Sequence, residues 1–210
     1  MSNVVAFADP SYPARRKRGR PRQFDLDGAV AVARELFEAN GYDRVSLPDL
    51  TGAMGINPPS FYAAFGSKAD LFIRILDDYS GAWLDNLRAA FMPDREVETA
   101  LSDILQLAAH RFAPADEEGE ARRGGCLILE AGLNCSDAKV TEAIRKARLA
   151  LAATIYRGIA WRKPENAAAL TDFMMAQLAG LSAAGRDGTD VVRLLTVARM
   201  AASAIRHAPA

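Results

Sequence analysis

The sequence has few residues that support covalent or metal chemistry, since its 210 residues include two cysteines and two histidines. His110 and His207 lie far apart in the chain and lack the spacing of metal ligands, so no metal site is expected. Cys126 and Cys135 are nine residues apart, and on one helix they would point to opposite faces, which excludes a disulfide between them. We expect both to be buried thiols of a reduced cytoplasm, with a redox sensor as the alternative.

The sequence also lacks the motifs of common enzymes and of membrane proteins. No G-x-S-x-G, P-loop or G-x-G-x-x-G motif occurs, so neither catalytic activity nor a cofactor is expected. A transmembrane helix needs an uninterrupted apolar stretch of about 18 residues, and no stretch in the sequence is that long. The best candidate, residues 167–185, contains Asp172 and Gln177. No segment has the order of charged and apolar residues of a signal peptide, so we expect a cytoplasmic protein without membrane contact.

Charge is balanced overall but uneven along the chain. With 26 basic and 26 acidic residues, binding to nucleic acid cannot rest on net charge. Six of the eight residues in the segment 15–22 are Arg or Lys, however, and the core Arg18-Gly19-Arg20-Pro21 resembles an AT-hook. Such an arm inserts arginines into narrow A·T-rich minor grooves, although a basic run by itself is more often a solvated tail. The candidate contacts are Arg18, Arg20 and Arg22.

Residues 46–68 have the pattern of two short helices joined by a glycine turn, followed by the start of a third helix. Ser46 and Asp49 fit a capping box for the first helix, and Gly55 is expected to end it. Asn57 is expected to cap the second helix. This arrangement is typical of a helix-turn-helix, which places its second helix in the major groove of DNA.

The faces of these helices follow from their spacing. Phe61 and Phe65, four residues apart, are expected to be buried. In the first helix Ser46 and Thr51 are expected to face solvent or a ligand. Lys68 is expected in the first turn of the third helix, where a cation opposes the helix dipole, so its presence favours a phosphate contact over an exposed lysine without a role. The groove-facing surface would consist of Pro59, Ser60, Tyr62 and Ala63.

The whole chain is expected to be all-α, with about nine helices. No useful stretch alternates polar and apolar residues with period two, so no sheet is expected. We predict a disordered basic arm at 1–23, a three-helix DNA-binding head at 24–67, and a larger helical domain for effector binding and dimerisation at 68–210. The predicted helices cover 26–40, two short segments after Ser46 and Asn57, 68–90, 95–113, 122–134, 138–161, 165–185 and 189–206.

The last two helices are rich in alanine and glycine and have more apolar surface than one face requires. They fit either two core helices of a monomer or a four-helix bundle formed by two subunits, and we favour the homodimer. A dimer would also present two recognition helices to one palindromic site. The predicted interface residues are Phe173, Met174, Leu178, Leu181, Val191, Leu194, Ala198 and Ala201.

Together, these residues resemble the N-terminal domain of the TetR (tetracycline-repressor) family of transcriptional regulators over about residues 24–72. The resemblance implies an all-helical homodimer whose head binds an operator, and whose larger domain holds a small molecule that releases the protein from DNA. The matching residues are Gly41-Tyr42, Ser46-Leu47, Ala53, Gly55-Ile56, Phe61-Tyr62, Phe65, Ser67-Lys68 and Leu71.

Carried onto this sequence, the resemblance implies major-groove contacts by Ser60 and Tyr62. The chain departs from many relatives in having Ala63 and Ala64 after the tyrosine, so bidentate reading of guanine or adenine has no arginine or asparagine to perform it. We therefore expect thymine-methyl contacts by Pro59 and Ala63, and A·T-rich flanks read by the arm. Contacts to the DNA backbone are implied for Thr51, Asn57, Pro58, Pro59 and Lys68.

The sequence says least about the effector. A mainly apolar pocket with a few polar anchors is the general expectation, and an inward-facing Glu130 would make a cationic or hydroxylated ligand plausible. The alternatives are an architectural DNA-binding dimer with a filled second domain, or a helical enzyme. The candidate pocket residues are Trp83, Leu87, Ile104, His110, Leu127, Glu130 and Asn134.

Overall fold

The structure, a computed structural model, describes residues 25–114, 123–130 and 135–207. Within these ranges the chain forms nine α-helices and no β-strand, which confirms the predicted all-α class. The helices are α1 (Leu26–Asn40), α2 (Leu47–Met54), α3 (Pro58–Phe65), α4 (Lys68–Ala90), α5 (Val97–Phe112), α6 (Leu127–Glu130), α7 (Ala138–Ala160), α8 (Ala167–Arg186) and α9 (Val191–Arg206).

The first three helices pack around an aromatic cluster and form the head. The rings of Phe37 and Phe72 meet edge to face with centroids 5.0 Å apart, and Tyr42 meets Phe72 in the same manner at 5.2 Å. Such edge-to-face pairs stabilise a core beyond the area that they bury. Since Phe72 belongs to α4, this long helix forms part of the core of the head.

The remaining helices form the body, which shares a continuous hydrophobic core with the head. Helix α4 extends from the head into the body and packs along α7, while α5 packs against α8 and α9. Trp83 and Leu87, near the C-terminal end of α4, are buried in this part. A continuous core means that a displacement in the body can be transmitted to the head through packed side chains.

One predicted helix differs from the structure. The segment 122–134 was expected to be helical, but residues 123–126 are not, and the described part of α6 begins at Leu127. The reason lies in two glycines. Gly125 has a φ of 101°, outside helical geometry. A Cβ on Gly124 would lie 2.2 Å from the carbonyl oxygen of Gly185, so the chain here passes directly against α8.

The segment Pro164–Arg186, which contains α8, is long and apolar enough to cross a membrane by length and composition alone. The same composition is found in the core helices of soluble proteins. Helix α8 packs against α5, α7 and α9, and it buries Met174, Leu178 and Leu181 in the core of the body. These contacts assign the helix a role in the core.

Candidate functional site

Helix α3 presents the surface that the sequence predicts. Phe61 and Phe65 are buried, and they hold the helix against the rest of the head. Asn57 caps the helix, because its Oδ1 accepts the backbone N–H of Ser60 at 2.9 Å. The opposite face is open to solvent, with Tyr62 53% exposed. The exposed residues of this face are Pro58, Pro59, Ser60, Tyr62 and Ala63.

Helix α2 supports α3 through a turn of defined geometry. The predicted capping box is present: Ser46 Oγ accepts the backbone N–H of Asp49, and Asp49 accepts the backbone N–H of Ser46 at 2.8 Å. The hydrogen bonds from Ser46 lower the pKa of Asp49, so this carboxylate stays charged at the positive end of the helix. Gly55 then ends the helix in the left-handed conformation, with φ 66° and ψ 32°.

Thr51 is placed differently from the expectation that it faces solvent. Its side chain is buried, with 7% of the residue exposed, and its hydroxyl donates to the carbonyl oxygen of Leu47 at 3.0 Å. The bond to the preceding turn of its own helix satisfies this hydroxyl inside the protein, so the group needs no partner from solvent or DNA. On helix α2, the exposed polar group that faces outward as predicted is Ser46, which also holds the cap.

Lys68 lies in the first turn of α4, as predicted, but it is not a free cation. Its Nζ donates to the carbonyl oxygens of Tyr42 at 3.1 Å and Val45 at 2.9 Å. The same Nζ lies 4.0 Å from the centroid of the Tyr42 ring. An ammonium group has three N–H donors, so one of them remains for a phosphate oxygen. The two carbonyl contacts hold the group in place and connect it to the loop between α1 and α2.

Four of the predicted site residues lie outside the part of the chain that the structure describes. They are the arginines of the arm, Arg18, Arg20 and Arg22, and the candidate pocket residue Asn134. The candidate DNA surface described by the structure therefore consists of the exposed face of α3, its cap and Lys68.

The candidate effector residues divide into a filled centre and an open edge. Trp83 is buried against Phe112, with ring centroids 5.5 Å apart, and the space beside this pair has no room for a water molecule. Leu87 and Ile104 are also buried in the core, and neither lines the cavities at the edge of the body. His110 is half-buried in the last turn of α5. The structure brings Leu127 and Glu130 together at the edge of the body instead.

Leu127 and Glu130 line a cavity of about 480 Å³ between the head and the body. This volume lies within the range of about 300–1,000 Å³ that is usual for small-molecule sites. One wall is the end of α1 and the loop that follows it, and the other wall comes from the body. The lining residues are Phe37, Asn40, Gly41, Tyr42, Asp43, Arg44, Leu127, Glu130, Cys135 and Arg186. We call this space the seam cavity.

Glu130 faces inward but is already partnered. Its carboxylate accepts the hydroxyl proton of Ser182 and the backbone N–H of Cys126, and it pairs with the guanidinium of Arg186. Burial, followed by the nearby positive charges of Arg123 and Arg44, lowers the pKa of Arg186. The carboxylate is thus a structural partner of an arginine, which removes it as the anchor of a cationic ligand.

Two hydrogen-bonded pairs connect the head to the body beside the seam cavity. Tyr42 donates its hydroxyl to Asp137 Oδ2 at 3.0 Å. Asp43 accepts the backbone N–H of Ser136 at 2.9 Å and its hydroxyl at 2.7 Å. These contacts were not predicted from the sequence, because no local pattern relates positions more than 90 residues apart. Arg186, which contributes to the seam cavity from α8, was missed for the same reason.

Most of the predicted dimer residues lie inside the subunit and not on its surface. Six of the eight are buried in the core, so they have no surface left for a second subunit: Met174, Leu178, Leu181, Leu194, Ala198 and Ala201. Phe173 and Val191 are partly buried. The face of α9 that remains outside is apolar at other positions, with Val192 66%, Val197 46% and Met200 69% exposed. The helix pair is apolar on more than one side, as predicted. The side that was assigned to the dimer interface, however, packs into the core of the subunit, and a different side of α9 is exposed.

The cysteines occupy different environments. Cys126 is buried and accepts the hydroxyl proton of Tyr79 at 3.6 Å, and burial raises the pKa of its thiol. Cys135 is partly exposed and lies at the start of the segment leading to α7. A raised pKa disfavours the reactive thiolate, so Cys126 has the chemistry of a packing residue. Among the described residues, no group of His, Cys, Asp and Glu could hold a metal ion.

Comparisons with known proteins agree with this geometry. The sequence model described as "Bacterial regulatory proteins, tetR family" matches residues 29–75. The chain is 40% identical over 191 residues to the HTH-type transcriptional repressor BdcR of Escherichia coli (strain K12), covering 91% of this chain and 94% of that protein. It is 27% identical over 203 residues to the repressor ComR of the same organism, covering 90% and 93%.

A solved structure extends the similarity to a protein bound to DNA. A cysteine mutant of the TetR family transcriptional regulator CifR, complexed with a 26-base-pair double-strand operator DNA, superposes with a TM-score of 0.73. The two chains are 32% identical, and the match covers 90% of this chain and 100% of that one. The similarity therefore includes both the head and the body.

Proposed function

The chain belongs to the tetR family of bacterial regulatory proteins and is a DNA-binding transcriptional regulator, and we propose that it is a repressor that a small molecule releases from its operator. The observation that carries the proposal is the face of α3 that is exposed to solvent, opposite the buried Phe61 and Phe65. The similarity to the repressors BdcR and ComR supports repression over activation. We place the protein in the cytoplasm, where its DNA target lies.

In this proposal α1–α3 are the DNA-binding domain, and α3 enters the major groove. Tyr62 and Ser60 supply the hydroxyl groups available for hydrogen bonds, whereas Pro59 and Ala63 offer only apolar contacts. Because thymine presents a methyl group in the major groove, apolar contacts of this kind favour A·T pairs. Asn57 and Pro58 lie at the N-terminus of α3, where they would approach the DNA backbone together with Lys68.

In this proposal the basic arm provides a second set of contacts that recognise the DNA sequence. Arginines inserted into a narrow minor groove are attracted by its concentrated negative potential, which is strongest in A·T-rich sequence. Arg18 and Arg20 flank a glycine and precede a proline, a pattern that favours an extended arm. We propose that Arg18, Arg20 and Arg22 read the flanks of the operator while α3 reads its centre.

We propose further that the regulator is a homodimer joined through α8 and α9. The interface would include the outer face of α9, where Val192, Val197 and Met200 are exposed. Large apolar side chains exposed together on one surface mark interaction sites in soluble proteins. A twofold axis between the subunits would present two copies of α3 to two half-sites of a palindrome.

The alternatives from the sequence make different predictions. The filled centre of the body is what an architectural DNA-binding dimer without an effector would have, but the seam cavity supplies room for a ligand at the edge. An enzyme would need a constellation of catalytic groups. The part of the chain that the structure describes has no group of residues that could hold a metal ion, and burial raises the pKa of the Cys126 thiol. We therefore expect no catalytic activity.

Selection of binding sites from random double-stranded DNA by the full chain tests the proposal. We expect enrichment of a palindrome with A·T-rich flanks. Strong binding without sequence enrichment would support the architectural dimer, and absence of binding at low salt would contradict both readings. Transcription from the selected operator, measured with and without the purified protein, then determines whether binding represses.

A further inference from the structure

The seam cavity lies where a ligand would touch both the head and the body. Its head wall is the end of α1 with the following loop, including Tyr42 and Arg44, and its body wall includes Leu127, Glu130 and Arg186. Phe37 and Leu127 give the cavity an apolar floor, and both side chains are buried. A molecule bound here would separate two surfaces that are now in contact through hydrogen bonds.

The charged side chains that line this cavity are not equally free to bind a ligand. Both carboxylates that line it are already hydrogen-bonded within the protein, Asp43 to Ser136 and Glu130 to Ser182 and Arg186. Arg44, in contrast, donates to the carbonyl oxygen of Asn40 through Nε, at 2.8 Å. Among the described residues this bond leaves the two terminal nitrogens of the guanidinium available, and they carry most of its capacity to bind an anion.

Further arginines surround the same place. Arg186 also lines a smaller cavity of about 30 Å³ next to the seam cavity, together with Arg34, Arg111 and Arg123. Arg34 is paired with Glu38 at 2.7 Å. The positive charges of Arg123 and Arg44 oppose that of Arg186, so an added negative charge would relieve repulsion within this cluster.

We propose that the seam cavity is the effector site, and that it binds a small organic anion with an apolar body. The acid group of the ligand pairs with the terminal nitrogens of Arg44 and of Arg186, since among the described residues the contacts to Asn40 and Glu130 occupy only the Nε of each guanidinium. The apolar body lies against Phe37 and Leu127. This inference rests on the proposed function, since it assigns a site and a ligand class to the effector of the repressor. A cation is disfavoured there, because both lining carboxylates are engaged.

The same geometry gives a way for the ligand to act on DNA binding. The loop that forms the head wall bonds the body through Tyr42 and Asp43, and its carbonyl oxygens at Tyr42 and Val45 hold Lys68. A ligand that moves this loop breaks the bonds to the body and displaces the lysine that faces the DNA backbone. The effector thus binds the released conformation better than the DNA-bound one, which is the requirement for allosteric release.

A pair of fluorescent probes tests the ligand class on the full chain. Anilinonaphthalene sulfonate is an organic anion with an apolar body, and phenylnaphthylamine has the same rings without the sulfonate. We expect the anion to bind the wild-type protein about tenfold more tightly than the neutral probe, or better, as a charge-assisted contact provides. Equal affinities for the two probes would overturn the assignment of an anion site.

Variants locate the binding in the seam cavity. Arg44→Gln is on the surface and should fold normally, and it should weaken binding of the anion about tenfold while leaving the neutral probe unchanged. Arg145→Gln, an exposed arginine on α7, is the matched control and should change neither. If Arg44→Gln and Arg145→Gln bind the anionic probe as the wild type does, the probe lies elsewhere and the proposal fails.

Arg186 requires a second design, because Arg186→Gln leaves the buried Glu130 without its partner. The double variant Glu130→Gln/Arg186→Gln replaces the ion pair by two amides and keeps the net charge of the site. We expect it to lose affinity for the anionic probe by about tenfold as well, since the loss follows the guanidinium and not the net charge. Retained affinity in a folded double variant would exclude Arg186 as an anchor.

Tyr42→Phe tests the coupling and separates this inference from the proposed function. Because the variant lacks the bond to Asp137 that ligand binding must break, it should bind the anionic probe about three- to tenfold more tightly. Affinity for the selected operator is measured in parallel. Failure of the wild type to bind any operator would contradict the proposed function, whereas normal operator binding that the probe does not weaken would contradict this inference alone.

Discussion

Tyr42 donates its hydroxyl proton to Asp137 Oδ2 across 3.0 Å, and this bond joins the first loop of the head to the N-terminus of α7. Asp137 also caps α7, accepting the backbone N–H groups of Lys139 at 2.9 Å and Val140 at 3.2 Å. One carboxylate therefore starts a helix of the body and holds the head at the same time. Mutation can separate these two functions, because Tyr42→Phe removes the contact to the head and leaves the cap of α7 in place.

Tyr42→Phe is expected to lower the free energy of unfolding by about 0.5–1.5 kcal/mol, the net value of one hydrogen bond. Asp137→Ala should cost more, because it removes the cap of α7 as well, which adds about 1 kcal/mol. Urea denaturation followed by circular dichroism measures both. Equal stability of Tyr42→Phe and the wild type would show that the bond contributes nothing in solution.

The same pair predicts how stability depends on pH. The backbone N–H of Val140 and the Tyr42 hydroxyl lower the pKa of Asp137. A lowered pKa in the folded state means that the stabilisation is fully present above the ordinary aspartate value of about 3.9 and is lost as the pH falls through the folded-state pKa. The stability difference between the wild type and Asp137→Asn should therefore shrink as the pH is lowered from 5 toward about 3. A difference that is constant over this range would contradict a charged partner for Tyr42.

Lys68→Gln is expected to weaken operator binding and to change its salt dependence. Each phosphate contact contributes about one unit to the slope of log affinity against log salt concentration, so the variant should have a slope smaller by about one. Lys146→Gln, an exposed lysine of α7, is the matched control and should leave the slope unchanged. Weaker binding with an unchanged slope would mean that Lys68 acts only by holding the loop through Tyr42 and Val45.

Val197→Asp is expected to convert the dimer to a monomer. Val197 lies on the outer face of α9 with Val192 and Met200, and a carboxylate there would have to be desolvated when the subunits associate, which disfavours the interface. Leu149→Asp introduces the same charge at a comparably exposed apolar position of α7 and should remain dimeric. Sedimentation equilibrium measures the mass of each variant. A dimeric Val197→Asp would place the interface on another face.

Local signals in the sequence were sufficient to predict the helices of the head. The features that were not predicted depend on contacts between segments far apart in the chain. Ser46, Gly55 and Asn57 act within four residues of their own helices, so spacing alone identified their caps. The exposed side of α9 depends on which neighbour covers it, and an apolar pattern on several sides cannot decide between Leu194 and Val197. The seam cavity arises from segments far apart in the chain, which no pattern relates.

Gly185→Ala tests the close contact between α8 and the end of α5, beside the segment where α6 begins later than predicted. A Cβ at this position would lie 2.0 Å from the carbonyl oxygen of Phe112, and neither backbone can move easily. We expect a loss of about 1–3 kcal/mol or more in the free energy of unfolding, as for other overpacked sites. Gly81→Ala on α4 has nothing within 4 Å of the new Cβ and should gain up to about 1 kcal/mol. A stable Gly185→Ala would contradict this packing.

Replacing Arg18 and Arg20 by alanine tests the role of the arm. The double variant should lose operator affinity mainly where the flanks are A·T-rich, because the attraction to arginine is strongest in a narrow minor groove. Operators with the same centre and either A·T-rich or G·C-rich flanks are compared in one salt concentration, since any loss of positive charge weakens binding to all DNA. The expected loss is about tenfold at A·T-rich flanks and clearly smaller at G·C-rich flanks. An equal loss at both would mean that the arm contributes charge alone, and that sequence is read by α3 without help.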